Sequence, residues 1–136
     1  MRISRKLVGK PVSQMSGWVP GNSILGDIYV ANYGGNTVSV INTANNTIRT
    51  SITVGTSPQC IAICPLTNRA YVVNYTSGTV SVIDTSSNTV IATIPSMSGP
   101  AGVSVNPLGT RVYVSCAGSD QVKVIDTSNN SVITSI

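Results

Sequence analysis

The chain has no histidine and no glutamate, and only 9% of its 136 residues are charged, against about 25% in an average soluble domain. These absences remove most of the groups that serve as general acids, general bases and zinc ligands. The acidic side chains are Asp27, Asp84, Asp120 and Asp126 alone. Cysteine is scarce too, and the three thiols cannot all pair within one chain. If Cys60 and Cys64 share a strand, they lie roughly 13 Å apart at about 3.3 Å per residue, beyond the roughly 7 Å that a disulfide spans. The thiols therefore read as small buried hydrophobes, and neither a metal nor a cofactor is expected. Long apolar runs are missing as well. Residues 1–26 lack the apolar core of about 7 to 15 residues that marks a secretion signal, and nothing later approaches a membrane span.

The formal charge of +4 comes from Arg2, Arg5, Lys6 and Lys10, because from Asp27 onward four bases balance four acids. A basic patch for nucleic acid is thus missing from the body of the chain, and the tail reads as solvated. Within residues 1–26, Ser16 to Gly21 falls in the register of Pro58 to Ile63 and suits a degenerate strand, with Trp18 aligned to Cys60 and Gly102.

What the chain has in abundance is repetition. Tyr29 to Asn42, Tyr71 to Asp84 and Tyr113 to Asp126 carry nearly the same residues at a spacing of 42. Val38/Val80/Val122, Ile41/Ile83/Ile125 and Ile52/Ile94/Ile136 keep that register, as do Pro58/Pro100 and Pro65/Pro107. Self-similarity of fixed period is the mark of a repeat architecture.

Four short strands fit each repeat, separated by turn signals every 8 to 12 or so residues. In the second repeat they are Gln59 to Cys64, Ala70 to Asn74, Thr79 to Ile83 and Thr89 to Ile94. The third repeats the plan over Gly102 to Val105, Val112 to Ser115, Gln121 to Ile125 and Ser131 to Ile136, whereas the first offers only the last three strands. Pro65 to Asn68 and Pro107 to Thr110 preset φ for tight turns. Asp84 and Asp126, each followed by Thr, suit a turn in which the carboxylate accepts from the backbone two residues on. Asn42 makes the same turn in the first repeat and cannot act as a carboxylate base.

Apolar residues fall on both faces of these strands, Tyr71 and Val73 against Val72, and Val80 and Val82 against Ile83. Sheets covered on both sides show this pattern, whereas one-sided burial alternates strictly. A repeat of 42 residues with four antiparallel strands fits one blade of a β-propeller. The expected fold is all-β, an arc of about three four-stranded blades over 27–57, 58–99 and 100–136, the first incomplete or degenerate.

Tyr-Val-x-Asn, then Thr-Val-Ser-Val-Ile-Asp-Thr, Asn-Thr-Val-x-x-x-Ile and Pro-x-Gly-Val-x-Val-x-Pro-x-Gly together resemble the YVTN family of propeller repeats over roughly residues 27–136. Cys60 replaces the family's glycine, and Cys116 its asparagine. The resemblance implies a surface or surface-layer protein, outside the cell or on its surface, and carries no family-wide catalytic residue.

The strands alternate in direction, so the second-to-third-strand loops and the links between repeats emerge on one face. Variation gathers there: Tyr33 and Asn36, Ser57, Tyr75 and Thr76, Met97, Ser119 and Asp120. Loops that vary on a constant scaffold are where recognition sits, and these eight residues are the candidate binding positions, with a protein or glycan as partner. No catalytic residue is assigned. The function expected is a non-enzymatic binding or structural module; the alternative is a portion of a propeller lyase, lactonase or dehydrogenase whose catalytic residues lie elsewhere. Asn45, Asn74 and Asn129 head Asn-x-Ser/Thr triplets, which a chain this rich in those residues makes by chance. Three blades fall short of the typical 4 to 8 or so of a closed ring, so a homo-oligomer is expected, either a ring-completing dimer or a filament, with a truncated longer propeller as the alternative. Far-ultraviolet circular dichroism should show β structure and almost no helix; appreciable helix would refute the propeller.

Overall fold

The computed structural model describes residues 26–136. The basic tail, the degenerate strand from Ser16 to Gly21 and Trp18 lie outside the described residues.

Three antiparallel sheets follow one another along the chain. Blade 1 is β1 (Asp27–Asn32), β2 (Thr37–Asn42) and β3 (Thr47–Thr53), paired in that order. Blade 2 comprises β4 (Pro58–Cys64), β5 (Arg69–Asn74), β6 (Thr79–Asp84) and β7 (Thr89–Ile94). Blade 3 has β8 (Pro100–Val105), β9 (Arg111–Cys116), β10 (Gln121–Asp126) and β11 (Ser131–Ser135). The innermost strands β4 and β8 lie side by side. Among the described residues the only helix is one 3-10 turn at Tyr33–Gly35. This is a partial β-propeller.

β5, β6, β9 and β10 are longer than the turn signals alone suggest, for a reason visible in the pairing. Arg69 stands opposite Asp84 and Arg111 opposite Asp126, so each charged pair closes its own ladder and belongs to it. Pro58 and Pro100 open β4 and β8, the strand position where a missing N–H costs least. Each outer pairing shifts register at the same place, between Val40 and Ile41, Val82 and Ile83, and Val124 and Ile125. The extra residue of each bulge lies on the outer strand, at Arg49, Ile91 and Ile133, where the ladder is locally interrupted.

The core is two separate layers, each lying between blades. Between blades 1 and 2, Val38, Val40 and Ile52 meet Ala70, Val72 and Ile83, with Tyr29, Val54 and Ile61 packed around them. Between blades 2 and 3, Tyr71, Val73, Val80, Val82 and Ile94 meet Val112, Val114, Cys116 and Ile125. Blade 2 is thus buried on both sides, and β5 runs from Ala70 to Asn74 without an exposed residue. Met97 is enclosed in the second layer, at 5% exposure. This corrects its expected place on the loop face: its side chain turns inward while its backbone joins the link. Cys64 and Cys116 are buried and Cys60 is half-buried, all three as free thiols.

The outer blades have one covered side each, and exposure follows. Tyr71 is 1% exposed while its counterpart Tyr113 is 37% exposed; Val72 is fully buried while Val30, its counterpart in blade 1, is 41% exposed. The residue types match, so the neighbour makes the difference. Val72→Ala should cost about 2 kcal/mol for the lost methyls and the cavity, and Val30→Ala well under about 1 kcal/mol. Urea unfolding of the two variants checks this, and equal losses would contradict it.

Candidate functional site

Turn chemistry builds the loop face. The last residue of the turn between the second and third strands of each repeat is Asn36, Gly78 or Asp120, and all three are left-handed, at φ 55°, 63° and 51°. Only glycine, asparagine and aspartate adopt that conformation readily. At Gly78 a Cβ would also lie 2.5 Å from the Met97 carbonyl oxygen. Asp120, which has no acidic counterpart in the other repeats, therefore occupies a conformational position that Asn36 and Gly78 fill elsewhere.

The links between blades lie beside these turns and are stitched to them. The Ser57 N–H donates to Asn36 Oδ1 at 2.9 Å, the Tyr75 N–H donates to the Ser57 carbonyl at 2.9 Å, and Thr76 Oγ1 donates to Ser57 Oγ at 2.8 Å. Ser57 itself is left-handed, at φ 57°. Asn36, Ser57, Tyr75 and Thr76 are thereby brought together across the first joint. At the second joint the Met97 N–H donates to the Gly78 carbonyl and the Ala117 N–H to the Gly99 carbonyl, both at 3.0 Å. Tyr75 also lies over Gly99, where a Cβ would be 3.4 Å from its ring. Tyr33 and Tyr75 remain 54% and 43% exposed, and blade 3 has Ala117 in that register. Ser119 turns back on its own blade, its N–H donating to the Cys116 carbonyl at 3.1 Å. Ser119 and Asp120 thus stand apart from the Asn36–Ser57–Thr76 network, and Asp120 borders a shallow hollow with Gln121, Val122 and Ile136.

Beneath the loops runs a polar ladder that the repeats pointed to only indirectly. Asn74 Nδ2 donates to Thr79 Oγ1 at 3.0 Å and to Ser81 Oγ at 2.9 Å. Asn32 does the same to Thr37 and Ser39 at 3.1 and 2.8 Å. In blade 3 all three members change together, to Cys116, Gln121 and Lys123, and Lys123 Nζ donates instead to Ser135 Oγ at 2.8 Å. Asn74 is fully buried, so its Asn-x-Thr triplet is no site for a glycan. Its Oδ1 has no protein partner. Asn45 and Asn129 use their Oδ1 atoms to accept from the hydroxyls of Thr47 and Ser131, both at 2.7 Å, so these triplets are turn chemistry.

The opposite face is charged and structural. Asp84 Oδ1 accepts from the Ser86 N–H at 2.9 Å and from the Ser86 hydroxyl, and Asp126 repeats this with Ser128. Asn42 makes the same turn, accepting from the Ala44 N–H at 2.9 Å. Arg69 pairs with Asp84 at 3.2 Å and Arg111 with Asp126 at 3.0 Å. Blade 1 places the acid at the arginine's register and supplies the base from β3, so that Arg49 Nε meets Asp27 Oδ2 at 2.9 Å. Asp27 is therefore a paired strand residue. Tyr29 bridges the first joint, its hydroxyl donating to Asn88 Oδ1 at 2.6 Å. Among the described residues no three histidine, cysteine or acidic side chains cluster as metal ligands.

The Ser86 hydroxyl and N–H hold the Asp84 carboxyl below its ordinary value, helped by Arg69, and Ser128 does the same for Asp126. Burial pushes Tyr29 and Tyr71 upward.

No family model matches the chain. A 42-residue stretch, 31% of this chain and 9% of the other, is 52% identical to the PE-PGRS family protein PE_PGRS18 of Mycobacterium tuberculosis (strain ATCC 25618 / H37Rv). Among solved structures, the hydrazine synthase of Kuenenia stuttgartiensis superposes with a TM-score of 0.77 at 24% identity, over 88% of this chain and 39% of that one. Sqt1 of Saccharomyces cerevisiae superposes with a TM-score of 0.72 at 17% identity, over 85% of this chain and 31% of that one. The chain thus spans well under half of these matched proteins, and the structural likeness concerns the fold.

The lowered carboxylates set the acid side of the stability profile. A folded-state pKa below the unfolded value contributes stability that is present above about pH 4 and lost as pH falls through the folded value. Asp84→Asn should flatten that acid loss yet keep the turn, as Asn42 does, whereas Asp84→Ala should remove both and lower the urea midpoint further. Unfolding midpoints from pH 2 to pH 7 check the order, as an approximate range bracketing the aspartate titration. The raised tyrosines act in the opposite sense, and their contribution falls away as pH rises past about 10.

Proposed function

We propose that this chain is a non-enzymatic propeller module that recognises a partner through its loop face, in the cell-surface or extracellular setting that YVTN-like repeats suggest. The observation that carries the reading is the contrast between scaffold and loops. Strand residues, turn conformations and ladders recur at 42-residue spacing, while the exposed loop positions change from Tyr33 and Tyr75 to Ala117. Exposed tyrosines offer a flat apolar ring and a hydroxyl at low entropic cost, which suits protein and glycan surfaces alike. Ser57 and Thr76 give that surface fixed polar edges through their bond at 2.8 Å.

The carboxylates support the non-enzymatic half of the reading. Asp27, Asp84 and Asp126 each have an arginine partner, and Asp120 stands at a left-handed turn position. A general base requires a carboxylate poised on a reacting proton with a suitably shifted pKa.

Screening a glycan array and a peptide library with the chain and with the Tyr33→Ala/Tyr75→Ala double variant tests the proposal. Ligands retained by the parent should bind the variant at least about tenfold more weakly, the scale of losing aromatic anchors, with the dichroism spectrum unchanged. Binding that ignores both substitutions would overturn the loop-face reading. A turnover activity abolished by Asp120→Asn in a folded protein would replace recognition with catalysis.

A further inference from the structure

The two exposed loop tyrosines occupy equivalent surroundings on adjacent blades. Tyr33 follows β1 and Tyr75 follows β5, one 42-residue period apart. Tyr75 lies over the link residue Gly99, which is left-handed at φ 55°; the link residue at that register for Tyr33 is Ser57, left-handed at φ 57°. Neighbouring sheets pack about 10 Å apart, so the rings form a row that crosses the first joint with a step of roughly that length. The polar groups between them are hydroxyls. Thr76 Oγ1 donates to Ser57 Oγ at 2.8 Å, and the Thr56 N–H donates to Ser77 Oγ at 3.1 Å. Once the Thr76 proton is given to Ser57, the Ser57 proton has no acceptor among the described residues, while Thr76 Oγ1 keeps its capacity to accept. No charged residue occurs from Tyr33 to Asn36, from Val54 to Ser57 or from Tyr75 to Gly78, and the three arginine–aspartate pairs lie on the opposite face.

We propose that the loop face binds an extended, neutral, β-linked glycan laid across the first joint, with alternate sugar rings stacked on Tyr33 and Tyr75. The inference rests on the loop-face reading above and narrows its ligand to one class. An aromatic face carries the negative side of the ring quadrupole, which attracts the electropositive C–H face of a pyranose. In an extended chain of the cellulose or chitin type, successive residues are turned over, so every second ring presents the same face. Two tyrosines in equivalent surroundings require equivalent partners, and alternate sugars supply them. The Ser57–Thr76 pair, with one proton to give and one oxygen to accept, matches a sugar hydroxyl, which also does both. A proline-rich peptide, another ligand of exposed aromatic rows, offers chiefly carbonyl acceptors, because proline has no N–H. An acidic glycan would need cations, and none stands in these loop segments.

Titration calorimetry of the full chain with cellobiose, cellotriose and cellotetraose, and with the chitin oligomers of the same lengths, reads this spacing. In at least one series affinity should rise at least about tenfold, the scale of engaging a second aromatic anchor, once the oligomer is long enough to place alternate residues on both tyrosines. A disaccharide reaches only one. Tyr33→Ala and Tyr75→Ala should each remove the rise with β dichroism unchanged, while Tyr33→Phe and Tyr75→Phe, which keep the ring, should retain it. Maltotetraose, whose links curl the chain, should show no such rise. Leu66→Ala, on the opposite face at 73% exposure, should bind as the parent does. Failure of both series to bind, a rise that survives either alanine variant, or an equal rise with maltotetraose would overturn the glycan proposal. A proline-rich peptide held through the same two tyrosines in place of the sugars would also overturn it, yet leave loop-face recognition standing. Sugar binding indifferent to both tyrosines would defeat both readings.

Discussion

Everything in this molecule depends on sheet packing against sheet. Each blade is a small twisted sheet with valine, isoleucine or tyrosine on both sides, and such a sheet is stable only between neighbours. Blade 2 has two neighbours and contains β5, whose six residues include no exposed side chain. Blades 1 and 3 have the same residue types at the same registers and leave about a third to a half of several large side chains in water. The hydrophobic effect scales with apolar area removed from water, so the same valine contributes little at one end of the arc and much in its middle.

Polar chemistry serves that packing. Alternation along β6 sends Val80 and Val82 into one core layer and Ile83 into the other, so one strand feeds two core layers. The asparagine ladder, the left-handed turn residues and the link hydrogen bonds fix how one blade follows the next. The pairs Arg69–Asp84 and Arg111–Asp126 sit at ladder ends and close their hairpins without entering either core layer. A weakly charged chain follows, since few positions in a stack of two-sided sheets tolerate a charge.

Loop-face variation is the counterpart of that constraint. Loop tips lie outside both core layers and are bound only to keep their turn conformations. Asn36, Gly78 and Asp120 meet the same backbone demand with three different side chains, whereas the exposed positions beside them change from tyrosine to alanine with no cost to the sheet. A module of this kind separates the residues that hold it together from those available for recognition.

Local rules were legible in the residues alone. The 42-residue register, the strands, the Asx turns at Asp84 and Asp126 and the two-sided apolar pattern all depend on residues a few places apart, and those interactions are the ones a sequence displays directly. The pairing of Asp27 with Arg49 was half visible, as an acid standing where the other repeats have arginine, but its partner strand had to be placed before the ion pair could be recognised. Met97 looked like a loop residue because its backbone is one; only the approach of blade 3 decided that its side chain is core. Which of two chemically equal faces is covered depends on what lies across it, and that information is held in the arrangement of blades, not in any one of them.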